Sequence, residues 1–343
     1  MNDPVVTSST EAQATRAPVR RTSTLRAALA LGMRNALPVG LVGLVVVFIV
    51  LGAPNVLTFS NIRDVLRLSA PILVVSVPMA YLLIMRNVDL SVGSTAALSA
   101  VASGLLFTTR HASPIEGVIV GLGIGAVVGF INGYLVTVVR LSPIVVTLGG
   151  LTGLRGLALA LAPFPVFGFP EQFVQFGAGS IVGVPYVVIV AALVVALGAW
   201  ALTFAPLGRH ALAIGVNDQV AYVAGINVRL TVWGAYLLTG LAAGVAGLIY
   251  AAQYDSSPSG AVGVGFELDV LTAVMLGGVA FDGGRGTIRG VVLGVLFLAM
   301  LQNGLALLNV PAAISFVIKG LALVVAAGLD RATQRALQIQ REN

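Results

Sequence analysis

The residues of this 343-residue chain that could take part in chemistry are few. The chain contains no cysteine, only two histidines (His111 and His210) and a single lysine, Lys319. Disulfides and cysteine-based metal sites are therefore excluded, and we expect no metal because histidine ligands are nearly absent. A phosphate-binding P-loop needs a lysine after its second glycine, whereas Lys319 lies in an apolar run. We therefore expect no cofactor of the chain's own, and any ATP that drives it must be bound by a partner subunit.

Two carboxylates, Glu267 and Asp269, precede a glycine-rich stretch that contains Gly277-Gly278 and residues 282–286, DGGRG. Residues two apart do not share a helix face, so a paired acid/base role is unattractive. We expect both carboxylates at the outer start of a helix, where the helix dipole favours negative charge. The glycines predict a broken helix or a tight turn, and without a following lysine they are weak evidence for a nucleotide site.

A second polar group lies in RNVDLSVGS, residues 86–94. Asp89 or Ser91 can cap the start of a helix by accepting hydrogen bonds from free backbone amides. A capped helix start is one interpretation, and a gate near an energy-supplying partner is the other; both can hold. The predicted cytoplasmic gate or interface comprises Asp89, Ser91, Gly93, Asp282 and Arg285.

Polar residues inside apolar runs are the candidates for a translocation pathway, namely Asn132, Arg155, Gln302, Asn303 and Lys319. A charge at the bilayer centre costs roughly 2.5–3.5 kcal/mol on insertion scales, so Arg155 and Lys319 should face protein or water. They line the pathway, extend toward the membrane surface or pair with a carboxylate, and these alternatives stay open. The three amides either bind a polyol or hydrogen-bond between helices, which is the commoner role.

The composition decides which elements position these residues. The chain is 58% hydrophobic and 9% charged, whereas soluble domains carry about 25% charged residues. We therefore predict an all-α polytopic membrane protein. Apolar runs of about 20 residues can span a bilayer. Ten such runs are found, at 37–53, 68–86, 91–109, 115–139, 143–162, 184–204, 231–252, 267–281, 286–309 and 312–329.

The basic residues set the predicted orientation. Cytoplasmic loops of membrane proteins are enriched in Lys and Arg. With the N-terminus inside, the cytoplasmic segments contain Arg86, Arg140, Arg209, Arg229, Arg285, Arg289, Arg331, Arg335 and Arg341, besides five arginines of the N-terminal tail. The outer segments contain only Arg63, Arg67 and Arg110. Both termini are thus predicted to be cytoplasmic, and the net charge of +6 is explained without a nucleic-acid partner.

The chain divides into a tail, a membrane domain and a second tail. Residues 1–34, rich in Ser, Thr, Pro, Ala and Arg, predict a disordered cytoplasmic tail rather than a targeting peptide, since no small-residue cleavage site follows the first apolar run. The membrane domain covers residues 35–330, with halves at about 37–162 and 184–329. Residues 331–343 form a cytoplasmic C-terminal tail.

An internal repeat relates the two halves. Asn132-Gly133 and Asn303-Gly304 are each followed by an apolar stretch, a proline and a new span. Each pair also follows a ladder of glycines at four-residue spacing, which lines one helix face and permits close packing. The glycines are Gly117, Gly121, Gly125 and Gly129 in one half and Gly286, Gly290 and Gly294 in the other. Since the fourth and ninth spans run in opposite directions, we predict inverted repeats; two glycine-rich helices of similar composition are the alternative.

The longest polar interlude is the loop at residues 206–230, PLGRHALAIGVNDQVAYVAGINVRL. Apolar residues recur in it at helical spacing around Gly215, which predicts two short amphipathic helices joined by a glycine turn. A structured, mildly apolar cytoplasmic loop is typical of a surface for a partner. On the outer side, residues 163–183 and 253–266 are candidate contacts for an extracytoplasmic partner, or plain connecting loops.

Four motifs together carry a family resemblance, namely VDLSVGSTAALSAV, LGRHALAIGVNDQVAYVAGINV, GFELDVLTAVMLGGVAFDGGRGTIRG and LQNGL. From about Pro38 to Asp330 the chain resembles the membrane permease subunits of bacterial ABC monosaccharide importers, which take up ribose, xylose, arabinose, rhamnose or autoinducer-2. The resemblance implies two permease subunits, as a homo- or heterodimer, with ABC ATPase subunits below and a periplasmic or lipid-anchored sugar-binding protein above. It implies an inner-membrane location.

The resemblance also assigns a role to the loop. It implies that the loop couples the permease to the ATPase through Gly208, Arg209, Gly215, Asn217, Asp218 and Gly225. An ordinary interfacial helix is the alternative. The predicted function is import of a small sugar without chemistry by the chain itself. A stand-alone secondary transporter is the other candidate, although that class needs intramembrane carboxylates for ion coupling, which are nearly absent here.

Overall fold

The computed structural model describes residues 36–257 and 262–324, together with Gly328. The predicted tails, 1–34 and 331–343, and the ends of the membrane domain lie outside the described residues. The helices are α1 Ala36–Val50, α2 Phe59–Ile84, α3 Val92–Arg110, α4 Pro114–Thr137, α5 Pro143–Leu161, α6 Glu171–Ala178, α7 Tyr186–Phe204, α8 Pro206–Val216, α9 Asp218–Val223, α10 Val228–Tyr254, α11 Phe266–Leu276, α12 Ile288–Leu307 and α13 Ala312–Val324.

Short irregular elements connect the helices. A 3-10 helix, Pro54–Leu57, joins α1 to α2. The strands are only two residues long each, namely β1 Val166–Phe167, β2 Ser180–Ile181, β3 Val184–Pro185 and β4 Ser256–Ser257. β1 pairs antiparallel with β4, and β2 with β3. The β1–β4 pair ties the segment after α5 to the segment after α10.

Each of the ten predicted spans coincides with a helix, which confirms an all-α polytopic membrane protein. Among the described residues, seven helices are long and apolar enough to cross a membrane: α2, α3, α4, α5, α7, α10 and α12. Helices α1, α11 and α13 are shorter but apolar. The structure thus places an apolar helix at each predicted span, while seven of these helices have the length of a full membrane crossing.

Two predicted boundaries were wrong. Helix α2 begins at Phe59, nine residues before the predicted start of the second span, because polar residues in its first turns hide a helix that Thr58 caps. Helix α11 ends at Leu276 rather than at residue 281, because Gly278 adopts a left-handed conformation with φ of 81°. Hydropathy alone reports the apolar segment and not the helix that contains it.

The glycine ladders lie at helix–helix contacts, as predicted, except for Gly286, which precedes the start of α12. A Cβ added at Gly125 would overlap the carbonyl oxygen of Gly240, and one at Gly121 would lie 2.8 Å from a methyl carbon of Leu248. Helix α4 therefore packs backbone to backbone along α10. In the second half, a Cβ at Gly294 would overlap the carbonyl oxygen of Ala273, so α12 packs in the same way on α11. Such close approach is how membrane helices associate without a hydrophobic driving force.

The helix contacts agree with two repeats of opposite direction. Helix α10 packs on α4 and α3, while α2 packs on α12 and α11, and α2 and α10 pack on each other. If α2, α3 and α4 are equated with α10, α11 and α12, the contact of α10 with α4 corresponds to that of α2 with α12. The contact of α10 with α3 likewise corresponds to that of α2 with α11. The Tyr236 hydroxyl, in the first half of α10, donates to the Val88 carbonyl just beyond the end of α2, so the equivalent helices α2 and α10 run in opposite directions. Interchanged packing together with reversed direction is what inverted repeats require.

Candidate functional site

The loop between α7 and α10 folds into two short helices, as predicted, but its break is not at a glycine. Gly215 lies inside α8, and the chain turns at Asn217. The Asn217 side-chain oxygen accepts hydrogen bonds from the backbone amides of Gln219 and Val220, both at 3.0 Å, and so caps α9. Gly225, with φ of 85°, ends the loop before α10. The predicted glycine turn around Gly215 is therefore corrected to an asparagine cap.

The loop has one buried and one exposed face. Ala211, Ile214 and Ala221 are buried against the membrane helices. The opposite face is apolar yet exposed, with Val220 64%, Tyr222 73% and Val223 85% accessible. We call these three residues the loop face. Exposed apolar residues grouped on an ordered element mark an interaction surface.

Gly215 does not belong to the loop face, because it is buried inside the protein. A Cβ added there would overlap the carbonyl oxygen of Ile84 and lie 2.9 Å from the Cα of Gly284. The backbone amide of Gly284 in turn donates to the Ile84 carbonyl at 2.9 Å. The end of α2, the end of α8 and the turn before α12 therefore meet at one point, which we call the junction.

Arg86 crosses the junction. Its Nε donates to the carbonyl oxygen of Asp282 at 2.8 Å, and its Nη2 donates to that of Val216 at 3.0 Å. The sequence analysis placed the segment RNVDLSVGS near the interface but did not name Arg86 among its candidate residues. The planar guanidinium group of an arginine can donate to two acceptors at once. The presence of an arginine directly after an apolar span was therefore the signal available in the sequence.

The other predicted loop and gate residues are distributed around the junction. Gly208 is buried where α8 folds back on α7, since a Cβ there would overlap the carbonyl oxygen of Leu202. Arg209, Asp218 and Gly225 are exposed. Asp218 accepts a hydrogen bond from the Gln219 amide at 3.0 Å. Of the predicted gate residues, Asp282 and Arg285 lie in the turn at the junction, and the Arg285 carbonyl accepts from the Ala280 amide at 3.2 Å.

Asp89, Ser91 and Asn132 meet in a buried cluster deeper in the protein. Asp89 Oδ1 accepts from the Ser91 amide at 2.9 Å and the Ser91 hydroxyl at 2.6 Å. Asn132 Nδ2 donates to Asp89 Oδ2 at 3.3 Å and to Ser91 Oγ at 2.9 Å. The structure thus joins two residues predicted for the gate with one predicted for the pathway. Asp89 is only 1% exposed, so it is not accessible at the surface.

Lys319 and Gln302 converge on Asp269, which was predicted only as a helix-start residue. Lys319 Nζ lies 2.9 Å from Asp269 Oδ2, and Gln302 Nε2 donates to the same oxygen at 3.1 Å. Of the alternatives for Lys319, the pairing with a carboxylate is the one observed. The sequence contained a signal for this pair, because it places a single intramembrane lysine after a span that begins with a carboxylate.

Asn303 and Arg155 make separate contacts. Asn303 and Asn61 exchange two amide hydrogen bonds, each of 2.9 Å, so the Asn303 side chain bonds between helices. Arg155 donates to the carbonyl oxygen of Val262. The carboxylate of Glu267 lies against Gly93, and its Oε2 is buried without a hydrogen-bond partner among the described residues. Glu267 and Asp269 therefore point to different sides of α11, as predicted.

The contact at Gly93 brings two helix starts together. A Cβ at Gly93 would overlap the carbonyl oxygen of Gly263, so the first turn of α3 touches the segment that leads into α11. Helix α11 has 11 residues, about 16 Å, which is half a membrane thickness. Both helices therefore begin inside the protein, as in the broken helices of membrane transporters.

The arrangement of buried polar side chains at helix breaks is typical of membrane transport proteins. Across residues 36–257 and 262–324, no three His, Cys, Asp or Glu residues are grouped to hold a metal ion. The polar side chains instead tie broken helices together beneath a structured loop. A protein-family model described as "Branched-chain amino acid transport system / permease component" matches residues 61–327, and the chain belongs to this family.

Individual relatives extend this result. The chain is 36% identical to the ribose import permease protein RbsC of Bacillus subtilis over 297 residues, covering 85% of this chain and 91% of the relative. It is 33% identical to the D-allose transport system permease protein AlsC of Escherichia coli (84% and 88% covered) and 32% identical to the autoinducer 2 import system permease protein LsrC of an Enterobacter species (83% and 82%). No solved structure matches the chain. The chain is thus a multi-pass permease subunit of the inner membrane.

Proposed function

We propose that the chain is the permease subunit of an ABC importer that carries a small sugar inward. The family description names branched-chain amino acids, whereas the full-length relatives are named for ribose, D-allose, L-arabinose and autoinducer 2. Identity along more than four-fifths of the chain supports the substrate class of the relatives over the family description. A pentose, a rhamnose-like sugar or an autoinducer-2-like compound is the expected substrate.

The loop face carries the proposal for an ATPase partner. Val220, Tyr222 and Val223 are exposed on α9, whose start is fixed by the Asn217 cap. A rigid apolar surface costs little ordering entropy when a partner covers it. Because Gly215, Arg86 and Gly284 hold the loop to the membrane helices, a force on the loop face reaches those helices. The ATPase subunit binds and hydrolyses ATP, while the permease supplies the path.

Helix α5 supports the proposal of a second permease subunit. No atom lies within 4 Å of the Cβ positions of Gly149, Gly153 or Gly156, while Gly150 packs against Ser91 on another side of the helix. A face of small residues permits close packing of a second helix. The second subunit, a copy of this chain or a homologue, would cover this face, and the solute would pass near it.

The opposite end of the protein supports the proposal of a sugar-binding protein as partner. The segment between α5 and α7 exposes Phe164 (79%), Phe167 (64%) and Val182 (98%). The β1–β4 pair holds part of this segment in place, and the Asp255 carboxylate accepts from the Phe169 amide at 3.2 Å. Ordered, exposed aromatic residues are typical contacts at protein interfaces.

Two measurements test the proposal. The permease is co-expressed with its neighbouring ATPase and binding-protein genes, purified, and reconstituted in proteoliposomes with labelled ribose, D-allose and L-arabinose. We expect ATP-dependent uptake of one of these sugars. A Val223→Asp variant should fold normally but lose most of the co-purified ATPase, because it places a charge in the apolar contact. Val182→Asp adds the same charge at an exposed residue at the opposite end of the protein and is the matched control for ATPase retention alone, because Val182 belongs to the proposed binding-protein surface. Uptake that persists without any ATPase would instead favour a secondary transporter.

A further inference from the structure

The connector between α2 and α3, residues 85–91, links the junction to the buried cluster. Arg86 follows α2 by two residues and adopts a left-handed backbone conformation with φ of 62°. This conformation is strained for a residue other than glycine, asparagine or aspartate. The backbone bonds that end α2, from the Arg86 amide to Leu83 O at 2.9 Å and from the Asn87 amide to Leu82 O at 2.8 Å, hold this conformation. In it the guanidinium donates to the carbonyl oxygens of Val216 and Asp282.

The two acceptors of Arg86 belong to segments that are distant in sequence. Val216 ends α8, the helix that precedes the loop face, and Asp282 lies in the turn between α11 and α12. The Arg86 side chain is exposed. Replacing it therefore does not bury an unpaired charge, and a variant should fold. The same two hydrogen bonds make Arg86 a direct tie between the loop and both halves of the protein.

The other end of the connector is fixed inside the protein. The Tyr236 hydroxyl donates to the Val88 carbonyl at 3.0 Å, about two turns into α10. Asp89 then binds Ser91 and Asn132, and the Ser94 hydroxyl reaches the carbonyl oxygen of Gly150 on α5 at 3.3 Å. Helices α4 and α10 are thus hydrogen-bonded to the connector, and α5 is hydrogen-bonded to the first turn of α3, which follows it.

The connector is short enough to act as a rigid link. Asp89 is the third residue after Arg86, so at most about 11 Å of extended chain joins their Cα atoms. Both ends of the connector are held by side-chain hydrogen bonds. A displacement of Val216 should therefore be passed along the connector rather than absorbed by it. We propose that Arg86 is the positioning residue that transmits movement of the loop face to the buried cluster and to α5. This inference rests on the proposed function, since it requires an ATPase that moves the loop.

The first test separates transmission from assembly. Arg86→Gln and Arg86→Lys are compared with the wild type in the complete importer in proteoliposomes, with labelled ribose as the probe. Arg289→Gln is the matched control, because Arg289 is also exposed and has no described hydrogen-bond or ion-pair partner. Arg86→Gln should keep the bound ATPase and its ATP hydrolysis, while ribose uptake per ATP falls about tenfold, and Arg86→Lys should be intermediate. Unchanged uptake per ATP in Arg86→Gln, or equal loss of uptake and ATPase binding, would overturn the proposal.

A second test does not depend on the sugar. Because the natural chain contains no cysteine, single labels can be placed at Gln219→Cys in the loop and Leu148→Cys on α5. In the wild-type complex both labels should change their fluorescence when ATP is added. In Arg86→Gln only the loop label should respond, and a response from both would contradict the inference. If the wild-type complex binds no ATPase, the proposed function itself fails, which the co-purification shows before any variant is compared.

Discussion

Lys319 Nζ lies 2.9 Å from Asp269 Oδ2, and this ion pair links α13 to α11. The side chains are 23% and 14% exposed, so the pair is mostly removed from water. Gln302 donates to the same carboxylate oxygen, so three helices of the second half share one acceptor. The Lys319 ammonium also lies 5.8 Å from the centre of the Phe316 ring on its own helix.

Replacing one partner of this ion pair should destabilise the protein more than replacing both partners. Lys319→Met leaves the Asp269 carboxylate with Gln302 alone, and we expect the stability to fall by about 1–3 kcal/mol, less than for a fully buried pair. Thermal unfolding in detergent measures the change. The double variant Lys319→Met/Asp269→Asn should recover most of the loss. If the loss of stability in the double variant equals the sum of the losses in Lys319→Met and Asp269→Asn, the two side chains do not stabilise each other.

Gly215→Ala should disturb the junction although it adds only one methyl group. The new Cβ would overlap the Ile84 carbonyl oxygen, so α8 must move away from α2. We expect sugar uptake to fall at least tenfold with membrane insertion intact, since insertion depends on the apolar spans. Gly234→Ala is the control, because nothing lies within 4 Å of its Cβ position. Normal sugar uptake in Gly215→Ala would show that transport tolerates a wider distance between α8 and α2.

Two neighbouring glycines of α4 provide a test of the helix contact. Gly125 packs against the backbone of α10, whereas Gly123 has no atom within 4 Å of its Cβ position. Gly125→Leu should prevent close packing of α4 and α10 and lower the stability by more than about 3 kcal/mol or abolish folding. Gly123→Leu should have little effect. Detergent size-exclusion profiles and unfolding temperatures compare the two, and equal behaviour would contradict the observed packing.

Asn132 and Asn303, which occupy equivalent positions in the two repeats, should respond differently to substitution. Asn132→Leu removes a donor from the buried Asp89 carboxylate, and we expect a loss of about 2–3 kcal/mol. Asn303→Leu breaks a neutral amide pair with Asn61 and should cost about 1–2 kcal/mol. Chemical unfolding of the two variants gives the difference. A larger loss for Asn303→Leu would mean that the Asp89 cluster is not held by Asn132.

The loop shows how far sequence reasoning reached at the candidate site. Helical spacing of apolar residues predicts two short helices, because that periodicity is local. Which face of the loop is covered depends on α2 and on the turn before α12, which are far away in sequence. The resemblance placed Gly215 among the six residues expected to couple the loop to a partner. The structure buries Gly215 and exposes Val220, Tyr222 and Val223.

The sequence by itself determined the class of protein, the ten apolar helices and the repeat. Each of these follows from composition, segment length or the spacing of short motifs, which are properties of consecutive residues. Only the tertiary structure decided that Asp89 meets Asn132, that Asp269 meets Lys319 and that Arg86 spans the junction. The physical reason is that a polar side chain in a membrane protein bonds to whatever helix packing places beside it. That partner lies 43 residues away for Asp89 and 50 residues away for Asp269, and no local pattern specifies it.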